Sequence, residues 1–264
     1  MEMSLGAVDL SYSYTPGKLA LRNVTLSLAR SGATFILGGN GSGKTTLIQC
    51  LCGIRSPKSG SVQIDGKDLR RLHPLQRART IGFVPQIHEP VFTYSVYQVV
   101  LMGRAPYLSP FNAPQKADHE HVAQALQALG LWQLRDRSYT QISGGEQRLT
   151  LIARGLTQGA KYLLMDEPDA HLDPKHQHDI FTRIVDLASE GFTFAISSHS
   201  PNNALLYGTR VALLAAGQLI AQGSPENVIA PKLLEEAYGL KFETITDTTG
   251  LRGVLPAMER RPQS

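Results

Sequence analysis

The stretch Gly38-Gly39-Asn40-Gly41-Ser42-Gly43-Lys44-Thr45-Thr46 decides how the rest of the sequence is interpreted. It matches the phosphate-loop pattern of a glycine, four residues and then Gly-Lys-Ser/Thr. The apolar run 34–37 before it is typical of a buried strand, and the run 45–51 after it is compatible with a helix. Glycines let the backbone wrap closely around an anion, and the start of the helix adds partial positive charge. The stretch therefore predicts a nucleoside triphosphate site, with Lys44 on the phosphates and the Thr45 hydroxyl on Mg²⁺.

The composition is that of an ordinary globular protein. The 264 residues are 42% hydrophobic and 18% charged, with a net charge of +4, which allows a substantial core. The basic residues are scattered, and no basic stripe with interleaved aromatics predicts nucleic-acid binding. The histidines do not cluster, so no transition-metal site is expected.

Two features predict a soluble chain in a reducing compartment. Cys50 and Cys52 lie two positions apart on the predicted helix and point to different sides, so they cannot bridge each other. Residues 1–4 show no secretory signal pattern, and apolar runs such as 211–216 are far shorter than the roughly twenty residues that a membrane span needs. We therefore expect a cytosolic protein whose membrane part, if it serves a membrane process, belongs to another chain.

The pattern of apolar residues divides the chain into an α/β core and a helical insert. Strand-like runs precede residue 85 and resume at 162–165, and between about 88 and 158 apolar residues recur at helical spacings of three and four. The predicted fold class is α/β, a P-loop ATPase core with a mixed or parallel sheet and an antiparallel β edge subdomain. Its predicted parts are the core over 1–87 and 159–248, a helical subdomain over 88–158 and a loose C-terminal tail over 249–264.

Two carboxylates, Asp166 and Glu167, end the apolar run 162–165. At the carboxyl end of a strand, Asp166 can hold a water of the Mg²⁺ shell and Glu167 can polarise an attacking water. Taken alone, the pair fits capping of the next helix equally well. Together with the phosphate loop in an α/β chain, the pair is interpreted as catalytic.

The stretch Ser143-Gly144-Gly145-Glu146 precedes a predicted helix over 146–157. Ser143 and Glu146 have the spacing of a capping box, which is a purely structural explanation. Two adjacent glycines at a helix start also suit backbone amides that approach an anion closely. Both interpretations can hold together, but this helix belongs to the insert and is badly placed to reach the nucleotide on its own chain's loop.

Tyr12 and Tyr14 lie on the same face of the first predicted strand. An aromatic ring at a strand end can stack on an adenine, and it can also be part of the core. One of the two suits the base while the other packs beneath it, and the spacing leaves both explanations open.

The motifs follow one another in an order that resembles the ATP-binding subunits of ABC transporters. The order is the phosphate loop, Gln86 after a short strand, the run 142–146, the run 164–168 and then His199. The resemblance covers about residues 4–240 and implies a homodimer. In such a dimer, the 143–146 stretch of one copy closes on the ATP and Mg²⁺ held by the other.

The resemblance implies a role for each matching residue. It places Tyr14 on the adenine, Gln86 on Mg²⁺ and the attacking water, and His199 on the γ-phosphate. The implied catalytic residues are Lys44, Gln86, Glu167 and His199, and the implied Mg²⁺ residues are Thr45, Gln86 and Asp166. The implied nucleotide contacts are Tyr14, Gly38, Gly39, Asn40, Gly41, Ser42, Gly43, Lys44, Thr45 and Thr46, with Ser143, Gly144, Gly145 and Glu146 from the second copy.

Three positions depart from the pattern that the family usually shows. Gly39 stands where proline is frequent, which should loosen the loop without removing its donors. Glu146 replaces the usual glutamine, as in some importers. Ala170 lacks the serine hydroxyl that helps binding across the dimer, while Asp173 is retained, so we expect ordinary ATP binding with slightly weakened communication between the two copies.

The run from Ile81 to Arg104 resembles importers of metal chelates (siderophores, haem, cobalamin) and of molybdate or tungstate. In those systems two separate membrane permease subunits dock on the surface after Gln86, and a periplasmic or extracellular binding protein selects the substrate. The resemblance implies a peripheral protein on the cytoplasmic face of the membrane. The apolar candidates for the docking groove are Val91, Phe92, Tyr94 and Val96, and a buried helical core is the alternative explanation for them.

Besides half of an exporter, which would more often be fused to its membrane spans, two other functions remain open from the sequence. The first is a soluble ABC ATPase without a transport role, such as one for cluster assembly or a chromosome- or ribosome-associated machine. The second is a subunit that binds nucleotide without hydrolysing it, which the retained Glu167 and His199 argue against.

Overall fold

A computed structural model describes residues 5–28, 30–86, 93–109, 113–250 and 252–257 of the chain. The strands in these ranges are β1 (Leu5–Thr15), β2 (Lys18–Ser27), β3 (Gly32–Leu37), β4 (Ser59–Ile64), β5 (Lys67–Asp68), β6 (Ile81–Val84), β7 (Tyr162–Asp166), β8 (Thr193–Ser197), β9 (Arg210–Ala215), β10 (Gln218–Gly223), β11 (Phe242–Thr246) and β12 (Arg252–Pro256). The helices are α1 (Lys44–Leu51), α2 (Pro74–Thr80), α3 (Val96–Leu101), α4 (Lys116–Ala128), α5 (Gly144–Thr157), α6 (Pro174–Ser189), α7 (Pro201–Tyr207), α8 (Pro225–Val228) and α9 (Pro231–Tyr238). Short 3₁₀ turns cover Leu69–Arg71, Met102–Tyr107, Trp132–Leu134 and Tyr139–Gln141.

The central sheet has the strand order β10-β9-β3-β8-β7-β6. The strands from β9 to β6 run parallel, and β10 joins β9 antiparallel at the edge. Every residue of β3, β7 and β8 is buried, because a parallel strand with both faces covered is apolar throughout. The carboxyl ends of parallel strands meet at one edge, so the residues that follow β3, β6, β7 and β8 come together there.

Alternate residues of each central strand enter different cores. Phe35 and Leu37 of β3 pack with helices α3 to α7, whereas Ile36 packs on the opposite face with α1 and the second sheet. Met165 and Leu164 of β7 divide in the same way. This follows from the two-residue period of a strand and gives the molecule its three layers.

The second sheet is antiparallel, with the order β2-β1-β4-β5. Its inward side chains, including Leu10, Val24 and Val62, share a core with Leu47 and Leu51 of α1. The predicted α/β class, with its antiparallel edge subdomain, is therefore confirmed.

The described residues between 93 and 158 form helices and 3₁₀ turns, joined by an isolated bridge between Ser95 and Ser138. Helix α5 packs on α3, α4 and β6 and connects this region to the central sheet. The predicted helical insert is present in these residues. In the ranges that the structure describes, no helix combines the length and the apolar character that crossing a membrane requires.

Two of the residues predicted to line a docking groove, Val96 and Tyr94, are described by the structure, and they differ in burial. Val96 is fully buried and belongs to the core, because it begins α3 on the face that packs against α5. The prediction that Val96 lines a surface groove is therefore wrong. Tyr94 is half-buried against the same core, and Val91 and Phe92 lie outside the described residues.

The C-terminal region also differs from the prediction of a loose tail. Strand β12 pairs antiparallel with β11, from Phe242 opposite Pro256 to Thr246 opposite Arg252. Val254 is buried, and its backbone exchanges two hydrogen bonds with the side chain of Asn202 on α7, at 2.9 and 3.0 Å. Residues 252–256 are ordered as a strand because of a partner about fifty positions away, which a local sequence pattern does not show.

Candidate active site

The phosphate loop links β3 to α1 in a conformation that requires glycine at two positions. Gly38 has a φ of 149° and Gly43 a φ of 103°, both in the region that L side chains rarely adopt. A Cβ on Gly38 would lie 2.3 Å from the carbonyl oxygen of Leu214, and one on Gly43 would lie 2.9 Å from that of Ala20. The motif therefore has the backbone geometry that its sequence predicts.

The loop forms one wall of a cavity of about 550 Å³, a size suited to a nucleotide. Glu167 and His199 also line the cavity, as do Ala216 and Gly217 after β9. The other lining residues are Tyr14, Thr15, Lys18, Leu19, Ala20, Asn40, Gly41, Ser42, Gly43, Lys44, Thr45 and Thr46.

Lys44 is folded back onto the loop that precedes it. Its Nζ donates to the carbonyl oxygens of Gly38 at 2.9 Å and Gly39 at 3.1 Å, and it lies 3.4 Å from Nδ1 of His199. Burial lowers the pKa of the Lys44 ammonium, while the carboxylates of Glu167 and Asp166 act in the opposite direction. The ammonium is thus held at the bottom of the cavity, where an anionic ligand would compensate its lost hydration.

Asp166 ends β7 and is nearly inaccessible to solvent. Its Oδ1 accepts hydrogen bonds from the Thr45 hydroxyl at 3.1 Å and from the Ser197 hydroxyl at 2.6 Å. A carboxylate and a hydroxyl side by side are hard oxygen donors of the kind that Mg²⁺ prefers. The residues at this point therefore fit a magnesium ion bound together with nucleotide phosphates.

Glu167 follows directly and has an unusual backbone conformation, with a φ of 46°. Its N–H donates to the Ser197 hydroxyl at 2.9 Å, which fixes this left-handed turn. Its carboxylate accepts a hydrogen bond from Nε2 of Gln86 at 2.7 Å and lies 2.6 Å from Nε2 of His199. Three predicted catalytic residues from three different strand ends therefore meet at one carboxylate.

The structure distinguishes the two tyrosines of β1. Tyr14 lines the cavity and is 55% exposed, whereas Tyr12 is half-buried beneath it, with the two rings edge to face at 5.2 Å. The hydroxyl of Tyr14 lies 2.9 Å from that of Thr46, and the guanidinium of Arg55 stacks 4.6 Å from the centre of its ring. Of the two, Tyr14 is thus the ring placed to meet a base in this cavity.

The stretch 143–146 lies apart from the cavity of its own chain. Ser143 caps α5, and the capping box is present, with Ser143 N–H 2.7 Å from Glu146 Oε2 and Glu146 N–H 3.3 Å from Ser143 Oγ. A Cβ on Gly145 would lie 2.4 Å from Cδ2 of His176, so packing accounts for this glycine. Ser143 and Gly144 are exposed, and no residue of the stretch lines the cavity.

Comparison with known proteins decides what this arrangement is. The family model described as ABC transporter matches residues 21–170. The hemin import ATP-binding protein of Pseudomonas fluorescens is 37% identical over 241 residues, which are 89% of this chain and 92% of that protein. The chain belongs to the ABC transporter family. Members of this family hydrolyse ATP, and the chain is an ATPase that binds adenine nucleotides.

Other similar proteins agree with the assignment. The ferric enterobactin transport ATP-binding protein of Escherichia coli is 33% identical, with 92% of this chain and 90% of that protein covered. A solved structure of a proposed metal-chelate type ABC transporter in an inward-facing conformation has a TM-score of 0.86 at 29% identity, covering 97% of this chain and 98% of that one. The ABC fold thus extends over nearly the whole chain.

Two residues of this ABC ATPase site escaped the sequence analysis. Ser197 is fully buried and joins Asp166 to the backbone of Glu167. Arg148 of α5 donates to the carbonyl oxygens of Pro85 at 2.6 Å and Gln86 at 2.9 Å, so the helical region holds the segment that carries Gln86. A serine at a strand end and an arginine on a helix are both common, and neither signals its partner in the sequence.

A buried carboxylate next to the site was missed as well. Asp169 accepts hydrogen bonds from the hydroxyl of Ser198 at 2.9 Å and from the amide of Asn203 at 3.0 Å. These contacts tie the turn after Glu167 to the segment that carries His199. In the sequence, the adjacent serines Ser197 and Ser198 before His199 are the feature that could have indicated these hydrogen bonds.

Proposed function

We propose that the chain is the ATP-hydrolysing subunit of an importer that takes up a metal chelate such as haem or a ferric siderophore. The observation that carries the proposal is that Lys44, Glu167 and His199 line one cavity, with Gln86 hydrogen-bonded to Glu167 and Asp166 hydrogen-bonded to Thr45 beside it. The chelate is inferred from two relatives that are similar over most of their length, a hemin import ATP-binding protein and a ferric enterobactin transport ATP-binding protein.

In this proposal the loop binds ATP and Mg²⁺. The amides of 41–46 and the ammonium of Lys44 face the phosphates, and the Tyr14 ring stacks on the adenine. Thr45 and Asp166 would hold Mg²⁺, and Gln86 would contribute to the same ion and to the attacking water. Bound Mg²⁺ neutralises the charge that develops on the transferring phosphoryl group.

Hydrolysis is assigned to the carboxylate of Glu167. It accepts a proton from the water whose oxygen attacks the γ-phosphorus, and the bond to the β-phosphate oxygen breaks to release ADP. A general base of this kind is worth roughly 10²–10⁴ in rate. His199 and Lys44 stabilise charge on the γ-phosphate, and Gln86 orients the water.

We further propose that two copies act together. Ser143 and Gly144 are exposed at the start of α5, away from the cavity of their own chain, where they can approach the γ-phosphate held by another copy. Gly145 lets α5 pack closely on His176, and Glu146 keeps the helix capped while it does so. The dimer would sit at the cytoplasmic face of the membrane on two permease subunits, with a separate binding protein choosing the chelate.

The first experiment identifies the proteins that bind the full-length chain. A tagged copy is recovered from detergent-solubilised membranes of its own organism, with untagged protein as the background control. A polytopic membrane protein in stoichiometric amount is the expected result. Recovery of soluble proteins alone would overturn the importer and favour the soluble ABC ATPase instead.

The substrate is tested by uptake. Cells that lack the chain are supplied with haem, a ferric siderophore, cobalamin or molybdate, and restoration by the wild-type chain is compared with that by Glu167→Gln. Restoration of haem or siderophore uptake by the wild type alone supports the proposal. Restoration of molybdate uptake, or equal activity of the Glu167→Gln variant, contradicts it.

A further inference from the structure

The C-terminal helix α9 ends directly against the phosphate loop. The carbonyl oxygen of Ala237 lies 3.2 Å from the position that a Cβ on Gly39 would occupy. Leu234 is fully buried and anchors the helix in the main core. Gly239 closes the helix with a φ of 73°, and the chain then turns into β11.

The last residue of α9, Tyr238, reaches two functional segments with one hydroxyl. The oxygen accepts a hydrogen bond from the N–H of Gly38 at 3.3 Å, and the hydroxyl points to the backbone oxygen of His199 at 3.5 Å. The ring is half-buried and packs edge to face on Phe242 of β11 at 5.7 Å. The hydroxyl is therefore held in place by a fixed ring between two loops that are 161 positions apart (199 − 38).

The two loops carry groups that must keep their alignment. The carbonyl oxygens of Gly38 and Gly39 accept from Lys44, whose Nζ is 3.4 Å from Nδ1 of His199. Gly39 gives the loop more backbone freedom than most residues would. The hydrogen bond from the Gly38 N–H to the Tyr238 hydroxyl restricts the loop at the point where it leaves β3. The same hydroxyl also contacts the backbone oxygen of His199.

The β11–β12 hairpin of the C-terminal region is also linked to the segment that carries His199. Helix α7 begins directly after Ser200, and its Asn202 is bonded to Val254 of β12 through both backbone groups. Helix α9 and the β11–β12 hairpin thus contact the loop before α1 and both ends of the segment that carries His199.

We propose that Tyr238 is a positioning residue for ATP hydrolysis, whose hydroxyl keeps the phosphate loop and the His199 segment in register. The inference rests on the roles proposed above for Lys44 and His199 but not on the transport function. Loop amides 41–46, which bind the phosphates, are not touched by Tyr238. The hydroxyl should therefore affect turnover more than nucleotide binding.

The test is a comparison of Tyr238→Phe with wild type on the purified full-length chain. Steady-state ATPase assays give kcat and the KM for ATP, and hydrogen exchange followed by mass spectrometry reports on a peptide that covers the phosphate loop. We expect kcat to fall roughly 5- to 20-fold, because the buried amide of Gly38 loses its acceptor and the loop shifts. The KM should stay within about twofold, and amide exchange in the loop should increase.

Tyr207→Phe is the matched control. Tyr207 is also half-buried, and its hydroxyl also bonds a side chain, Nδ1 of His178 at 2.8 Å, but it touches neither loop. This control should keep the wild-type kcat and loop exchange. If the role of Tyr238 is purely structural, Tyr238→Phe should have a lower melting temperature and an unchanged kcat of the folded protein.

The outcomes separate this inference from the roles on which it rests. An unchanged kcat in Tyr238→Phe, while His199→Ala abolishes turnover, overturns the role of Tyr238 alone. An unchanged kcat in His199→Ala removes the proposed role of His199 and the inference with it. A fall in kcat and a rise in KM of equal size in Tyr238→Phe means that the hydroxyl serves binding, and this also contradicts the proposal.

Discussion

Glu167 Oε1 lies 2.6 Å from Nε2 of His199, although the two residues follow different strands of the central sheet. The other carboxylate oxygen accepts from Gln86 at 2.7 Å. Both oxygens thus contact neighbouring side chains, and because a carboxylate has about four acceptor sites, these contacts orient it and leave capacity for a water. The two contacts fix the orientation of the carboxylate that we propose as the general base.

Replacing Glu167 by glutamine should separate binding from turnover. The amide keeps the size of the side chain but is not a base, so the ATPase rate should fall by roughly 10²–10⁴. ATP binding by the loop should persist, and dimers should accumulate with ATP. Rate assays and light scattering after gel filtration with ATP measure the two effects.

Glu190→Gln is the matched control, because Glu190 is an exposed residue at the end of α6, outside the cavity. It should turn over ATP at the wild-type rate and form no trapped dimer. Full-rate hydrolysis by Glu167→Gln would transfer the role of the base to another residue.

The parts of the site that the sequence could predict are those formed by consecutive residues of one short motif. The glycine-rich loop and the pair Asp166–Glu167 each occupy one strand end, and parallel strands bring their carboxyl ends together whatever the remaining sequence is. In the structure, Gln86 and His199, which the ABC pattern adds to this set, both contact Glu167 at the same edge.

The parts that the sequence could not predict depend on distant contacts. Tyr238 is 200 positions from the amide of Gly38 that it contacts, and no local pattern marks it. In the sequence, Val96 fits a helical core nearly as well as a docking groove, and its burial follows from the packing of α3 in the main core. Strand β12, with the sequence Arg-Gly-Val-Leu-Pro, contains glycine and proline, and the hydrogen bond between its Val254 and Asn202 is not visible in a local pattern.

Removal of the Ser197 hydroxyl should reduce both stability and turnover. This hydroxyl donates to Asp166 at 2.6 Å and accepts from the Glu167 N–H at 2.9 Å. Ser197→Ala leaves that N–H without its acceptor in a strained turn, so the free energy of unfolding should fall by about 1–2 kcal/mol. Urea unfolding measures this loss, and ATPase assays should show a lower kcat.

Ser13→Ala is the control for the loss of a buried hydroxyl. In the described part of the chain, the Ser13 Oγ is buried and has no hydrogen-bond partner, so its removal breaks no hydrogen bond. It should destabilise the protein less than Ser197→Ala and leave kcat unchanged. Equal effects of the two substitutions would show that the bridge at Ser197 has no special importance.

Ala170→Ser should act on the dimer and leave the binding of ATP to a single chain unchanged. Ala170 follows Glu167 in a turn, is partly exposed and does not line the cavity. Nucleotide titration of the monomer should therefore give the wild-type dissociation constant within about twofold, which is roughly 0.4 kcal/mol. In the Glu167→Gln background, the added hydroxyl should increase the fraction of dimer, and a sharp rise in the affinity of the monomer would contradict this explanation.

The two thiols should react slowly in the folded protein. Cys50 is buried, and burial raises its pKa to about 11 from an ordinary 9.0, with a smaller opposing effect of Arg55. Burial also raises the pKa of Cys52, and the negative charge of Asp166 adds to this. The thiolate is the reactive form, so at pH 8 Cys50 should react with Ellman's reagent about 100-fold more slowly than in chain unfolded by guanidinium.

The same shift determines how stability depends on alkaline pH. The folded chain keeps the Cys50 proton up to about pH 11, whereas the unfolded chain releases it near pH 9.0. The unfolded state therefore binds fewer protons in this window, and stability should decrease as the pH rises through it. Cys50→Ala should make that decrease less steep in urea unfolding curves. Rapid modification of native Cys50 at pH 8, or an unchanged alkaline slope in Cys50→Ala, would mean that the thiol is not shielded as the structure indicates.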